Sequence, residues 1–173
     1  MQYIAFDTET HKIVKHRKAT RLSTPRFVCL TWYDGEEAQI TKDPARAVDL
    51  FRSWLTNDEI TIIAHNTSYD VLVMLRLARE LGENLWPQVF DAYKDARVRD
   101  KRIREILIDL GTTGNRRGYD LARLEKKYLD VDRSDQKKGE DVWRLRYDEL
   151  APWPVATWPD GAVDYALYDA IGA

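Results

Sequence analysis

Asp7 and Glu9 stand two residues apart, directly after the mostly apolar run Gln2-Tyr3-Ile4-Ala5-Phe6. In an extended chain, side chains at i and i+2 project to the same side. The spacing therefore predicts that both carboxylates emerge together from the end of a strand. Paired anions repel, and they are tolerated where a divalent cation sits between them. An ordinary acidic turn after an edge strand has the same triplet, so the remainder of the chain decides its meaning. Asp70 follows a second apolar, β-branched run, Ile60-Thr61-Ile62-Ile63-Ala64. Asp169 lies four residues after Tyr165, which puts the two on one helical face, a turn apart. Asp164 is rotated away from that face at about 100° per residue. If Asp7, Glu9, Asp70 and Asp169 converge, they form an all-oxygen site. Such a site selects Mg²⁺ or Mn²⁺ over zinc, for which the sequence offers no His or Cys pair at ligand spacing. Two such ions roughly 4 Å apart can stabilise both the attacking and the leaving oxygen of phosphodiester cleavage. A tyrosine hydroxyl one turn from a ligand can orient the attacking water.

Carrying these groups requires a sheet. Residues 2–6 read as a short strand buried on both faces, and residues 27–33 as a strong second strand. Asp34-Gly35 signals a hairpin into a shorter third strand over 37–41. Asp43-Pro44 opens a helix whose buried face is Val48, Phe51, Trp54 and Leu55. Residues 60–64 read as a central strand. The polar elbow His65-Asn66-Thr67-Ser68 then leads into a helix over 69–81, closed by Gly82. Residues 84–95 show no clear pattern. A last short strand is expected at 98–100 and a helix over 101–110. A further helix over 119–128 should set Leu121, Leu124 and Tyr128 on one face. Pro152, Pro154 and Pro159 interrupt the chain before a final helix over 160–171. Strands first, with helices between and after them, predict an α/β sandwich around a mixed sheet.

The composition is that of a globular domain: 173 residues, 44% hydrophobic, 32% charged and a net charge of -2. No global basic field points to nucleic acid, but charge is unevenly placed. Residues 11–25 are basic and fit either a solvated loop or a phosphate-contacting flap. Residues 111–118 read as a flexible basic loop, and residues 130–141 as charged and exposed. Cys29 sits in an apolar run and reads as a small buried hydrophobe. With no signal peptide and no apolar run long enough for a bilayer, the expectation is a cytoplasmic protein without a membrane partner. His65 and Asp100 read as structural. Trp143, Trp153 and Trp158 are expected to pack under the last helix. The run Arg97, Arg99, Arg102 and Arg104 reads as a solvated face, with contact to a DNA backbone as the alternative.

Phe6-Asp7-Thr8-Glu9-Thr10, then Asn66-Thr67-Ser68-Tyr69-Asp70, then Tyr165-Ala166-Leu167-Tyr168-Asp169 resemble the three ordered motifs of the DEDD, or DnaQ-like, 3′–5′ exonucleases. Tyr165, four before the last aspartate, is similar to the tyrosine of the DEDDy branch. Segments 98–104, 118–124 and 138–147 extend the likeness toward the amino-terminal proofreading domain of phage-type, family A DNA polymerases. The resemblance implies an α/β fold with a ribonuclease-H-like mixed five-stranded sheet, strand two antiparallel and helices on both faces. It implies that Asp7, Glu9, Asp70 and Asp169 ligate two divalent ions, Mg²⁺ or Mn²⁺, and that Tyr165 orients water. It also implies substrate contacts at Thr8, Thr10, Asn66 and Tyr69. The expected activity is hydrolysis of DNA from a single-stranded or frayed 3′ end to nucleoside 5′-monophosphates, proofreading for a polymerase in the same or a partner chain. The alternatives are an RNA exonuclease of the same superfamily and a catalytically silent nucleic-acid-binding module. Residues 1–173 read as one exonuclease domain, a fragment of a longer, virus-encoded polymerase or a free-standing enzyme acting in the host cytoplasm.

Overall fold

In the computed structural model, which describes residues 1–12, 24–114, 118–133 and 142–173, the first strand is longer than its apolar run. β1 spans Gln2–Thr10, so Asp7 and Glu9 lie within the strand rather than beyond it. Alternation then decides their faces. Ile4, Phe6 and Thr8 point to one side, and Ala5, Asp7 and Glu9 to the other. Burial on both faces does not extend to the start of the strand, where Tyr3 is 45% exposed beneath the Arg99 guanidinium. β2 (Phe27–Tyr33) and β3 (Ala38–Thr41) follow as a hairpin. Asp34 holds the turn by accepting the N–H groups of Glu36 and Glu37, and Gly35 supplies the positive φ of 102°. β4 (Ile60–Ala64) and β5 (Val98–Asp100) complete a sheet of order β3-β2-β1-β4-β5. β2 pairs antiparallel with both neighbours, while β1, β4 and β5 run parallel, as the sequence reading expects.

One face of the sheet is covered by α1 (Pro44–Thr56), α2 (Thr67–Glu80) and α3 (Trp86–Lys94). Asp43 caps α1 by accepting from Ala45 and Arg46. Val48, Phe51, Trp54 and Leu55 meet Ile4, Phe6 and Ile62 in the larger core. The sequence reading misses α3 because only Val89 and Ala92 are buried there, while Trp86, Phe90 and Tyr93 face outward and blur the apolar period. Arg97 departs from the solvated-face expectation. It is buried, and its guanidinium donates to the carbonyls of Leu55 (2.8 Å) and Asn57 (3.2 Å), satisfying acceptors left open at the end of α1.

The other face carries α6 (Tyr147–Leu150) and α7 (Asp160–Gly172). Their core joins Val28 and Cys29 of β2 to Tyr147, Trp158, Tyr165 and Ala166, so Cys29 is the buried hydrophobe expected. Tyr147 donates to the Ala162 carbonyl at 2.6 Å, and its ring packs on that of Tyr165, bracing α7. Trp158 and Trp143 belong to this cluster, but Trp153 does not; it is 60% exposed. α4 (Lys101–Thr112) and α5 (Leu121–Leu129) follow β5 in the chain. Leu121 and Leu124 are buried as expected. Tyr128 instead lies exposed, with its hydroxyl on Glu105. No helix among the described residues is long and apolar enough to cross a membrane.

Asp100 joins these elements. One carboxylate oxygen accepts the Ile103 N–H and caps α4; the other accepts the Thr67 N–H at the start of α2. Asp100→Ala removes both bonds. At roughly 1 kcal/mol per lost cap, the melting temperature should fall by several degrees, while Asp100→Asn, which keeps an acceptor, should lose less.

Candidate active site

α7 delivers its carboxylate to the face of β1 that bears Asp7 and Glu9. Asp7, Glu9 and Asp169 each offer a carboxylate oxygen within 4.8 Å of the other two. Glu9 and Asp169 are buried, and Asp7 partly so. A register shift between Glu9 and Thr10 marks a bulge beside the cluster, a device that re-aims side chains at a strand end. The donor set is all oxygen, with no His or Cys atom in the group. That chemistry fits a hard divalent cation, which would offset the repulsion of three adjacent anions.

Asp70 stands outside this group. It is buried at the start of α2, and its Oδ1 accepts both the backbone N–H (3.0 Å) and the hydroxyl (2.7 Å) of Thr8. Since Thr8 lies between Asp7 and Glu9, these bonds tie Asp70 to the acidic stretch of β1. Burial raises its pKa from 3.8 to about 7, with the charge of Asp100 adding to the rise and the Thr8 bonds opposing it. A carboxyl raised on folding adds stability that is complete below its unfolded pKa and lost as pH rises through its folded pKa. The metal-free protein should therefore lose stability between about pH 4 and pH 7 through this group. Urea midpoints taken in EDTA across that window should slope downward, and Asp70→Asn should flatten the slope.

Tyr165 is buried one turn before Asp169, to which its hydroxyl hydrogen-bonds. Burial, together with the charges of Asp169, Glu9 and Asp7, pushes the phenol far above its ordinary range. It therefore stays protonated at neutral pH and can donate a hydrogen bond, not abstract a proton. Asp164 is exposed, turned away as its helical position predicts.

A cavity of about 490 Å³ opens over these groups, lined by Asp7, Glu9, Tyr165 and Asp169. Thr8, Thr10, Asn66 and Tyr69 line it too. Tyr69 and Thr10 share a hydrogen bond of 2.8 Å across the floor. Asn66 turns the chain from β4 into α2 at φ 67°, a left-handed conformation that Asn tolerates. Its side chain caps nothing at the start of α2, where Asp100 takes the Thr67 N–H, and Asn66 lines the cavity.

Arg102, Tyr119 and Arg144 also line the wall; the sequence reading offered Arg102 only as one of a run that could touch a DNA backbone and gave Tyr119 and Arg144 no place in the site. Arg102 reaches Asn66 Oδ1 at 3.4 Å. The available signal was their position in segments 98–104, 118–124 and 138–147, but position in a segment does not reveal direction. The arginine run thus divides, with Arg97 buried, Arg99 over Tyr3 and Arg102 at the site. Most of the basic stretch 11–25, namely residues 13–23, lies outside the described residues, as do 115–117 of the basic loop and 134–141 of the charged segment. Lys12, near the start of that stretch, pairs with Asp148 at 3.8 Å.

The family model described as 3′–5′ exonuclease matches residues 1–171. The chain belongs to that family. No curated protein matches it closely enough to add a relative. Among solved structures, Trypanosoma brucei RNase D in complex with GMP aligns at a TM-score of 0.65 and 17% identity, covering 98% of this chain and 48% of that one. Escherichia coli RNase D, described as an exoribonuclease involved in structured RNA processing, aligns at 0.57 and 18%, covering 98% and 36%. The EXO domain of Aedes aegypti Nibbler aligns at 0.57 and 12%, covering 98% and 72%. The likeness is one of fold, and the chain spans about half the Trypanosoma brucei RNase D chain and about a third of the Escherichia coli one. The ribonuclease-H-like mixed sheet expected from the sequence is the fold these exonucleases share.

Proposed function

We propose that this member of the exonuclease family is a metal-dependent 3′–5′ exonuclease that removes nucleoside 5′-monophosphates from single-stranded or frayed DNA ends. Its role would be proofreading for a phage-type DNA polymerase, in the same or a partner chain, in the host cytoplasm. Residues 1–173 would form its single exonuclease domain. The observation that carries this reading is the convergence of Asp7, Glu9 and Asp169 within 4.8 Å, on the wall of an open cavity.

Asp7, Glu9 and Asp169 would hold the Mg²⁺ or Mn²⁺ ions; Asp70, whose Oδ1 Thr8 holds outside that group, is the further ligand that the family resemblance implies. When bound, such ions neutralise charge on the transferring phosphoryl group and favour ionisation of water. The protonated Tyr165 hydroxyl orients the attacking water by hydrogen bonding. The water oxygen joins the terminal phosphorus, the bond from phosphorus to the penultimate 3′ oxygen breaks, and that oxygen takes up a proton. A nucleoside 5′-monophosphate and a shortened strand with a 3′-hydroxyl leave. Asn66, Tyr69 and Thr10 face the terminal nucleotide. Thr8 acts through Asp70, to which its hydroxyl is already committed.

RNA is the second reading, favoured by the RNase D neighbours. A catalytically silent module is disfavoured because the carboxylates of all three motifs are present. Matched 5′-labelled DNA and RNA oligonucleotides, incubated with Mg²⁺, separate these readings. A descending ladder from DNA at the higher rate is expected. A faster RNA ladder would transfer the assignment to RNA, and binding without turnover would leave only the silent module.

A further inference from the structure

α4 is amphipathic in the wrong direction for a helix whose partners are all present. Its buried residues are acidic: Glu105 accepts from Tyr128 at 2.8 Å and pairs with Lys127, which also lies 3.8 Å from Asp109. Ile106 is half-buried, but its other apolar residues face outward. Ile103, Leu107 and Leu110 follow one another at four- and three-residue spacing, and Ile108 lies beside them; all four are exposed, Leu107 at 64%. A helix folded only onto its own domain would place the leucine stripe inward.

The stripe borders an open groove of about 890 Å³ at the β5 edge of the sheet, with Tyr93 of α3 on its other side. Arg99 and Arg104 stand at the rim. Among the described residues of the lining, the acidic side chain is that of Asp100, and it spends its two oxygens on the N–H groups of Thr67 and Ile103. The rim is thus cationic and the floor apolar. A second copy joined across a two-fold axis would set the arginines of one rim against those of the other. The floor is aliphatic apart from Tyr93, so it offers little for successive bases to stack on. Both arguments favour a protein partner of opposite charge.

We propose that the face formed by α4 and the β5 edge docks an amphipathic helix from a protein partner, with acidic residues flanking its apolar stripe. The active-site cavity has a different lining, so this docking stands whether or not the substrate is DNA.

The probe is a library of helical peptides of about 18 residues, with leucine at the core-facing positions and flanking positions randomised among Glu, Gln and Lys. Selection on the whole chain should enrich Glu at the flanks. The enriched peptide should bind Leu107→Glu at least about tenfold more weakly, with exonuclease activity unchanged because Leu107 takes no part in the cavity. Arg104→Glu should weaken the Glu-flanked peptide and tighten its Lys-flanked counterpart, which a merely unfolded variant would not do. Enrichment of Lys or Gln, or equal binding to Leu107→Glu, would overturn the proposal. So would a dimer in sedimentation that Leu107→Glu dissociates, or a single-stranded oligonucleotide that displaces the peptide in the wild type and binds Leu107→Glu more weakly.

Discussion

Asp7→Asn is expected to lower exonuclease activity by about 10³-fold or more, and at the same time to leave the metal-free protein slightly more stable. Asn has nearly the shape of Asp but removes one of three charges whose oxygens lie within 4.8 Å of one another. Loss of that charge weakens cation binding and with it the neutralisation of the phosphoryl group, which is worth several kcal/mol. In EDTA the same loss relieves repulsion between neighbouring carboxylates, a gain of about 1 kcal/mol for a partly solvated group. Asp169→Ala should match the fall in activity but differ in the sign of its effect on stability. There the buried Tyr165 hydroxyl loses its acceptor, and an unsatisfied buried donor costs about 1–3 kcal/mol. Steady-state rates with Mg²⁺, paired with melting curves in EDTA, check both signs together. Equal destabilisation by the two variants would show that Asp7 is held by structural bonds and not poised for a cation.

Tyr165→Phe should reduce kcat on the order of 10²-fold and leave metal affinity unchanged, since it deletes a donor and no ligand. The ring stays packed against Tyr147, whose own hydroxyl fixes the Ala162 carbonyl, so α7 and Asp169 should keep their place. The phenol lies far above its ordinary pKa, so its ionisation should not limit the wild-type rate on the alkaline side. Should Tyr165→Phe keep full activity across pH, the tyrosine is only packed, and the DEDDy reading fails even if the carboxylate cluster stands.

The features legible in the sequence were those set by local chemistry. Asp43, Asp34-Gly35 and Gly82 announced a cap, a turn and a helix end; i, i+2 spacing put Asp7 and Glu9 on one side of a strand and i, i+4 spacing put Tyr165 and Asp169 on one helical face, while their convergence was implied only by the family resemblance. What was not legible depended on partners far along the chain. β1 continues to Thr10 because β2 pairs with it there, although its apolar run ends at Phe6. Asp70 stands apart from the other acids because Thr8 holds its Oδ1. Arg97 and Arg102 look alike in sequence, yet one is buried under α1 and the other faces the cavity. α3 escaped notice because its aromatic residues face outward.

The acids of β1 and α7 are proposed to bind divalent cations that drive 3′–5′ cleavage. Calorimetric titration of Mn²⁺ into the wild type, Asp7→Ala and Tyr165→Phe tests this proposal most directly, with each sample also assayed on a 5′-labelled oligonucleotide. Binding should be lost or much weakened in Asp7→Ala, retained in Tyr165→Phe, and matched in the wild type by a descending ladder that EDTA abolishes. Unchanged Mn²⁺ affinity in Asp7→Ala, or a ladder that persists in EDTA, would contradict it.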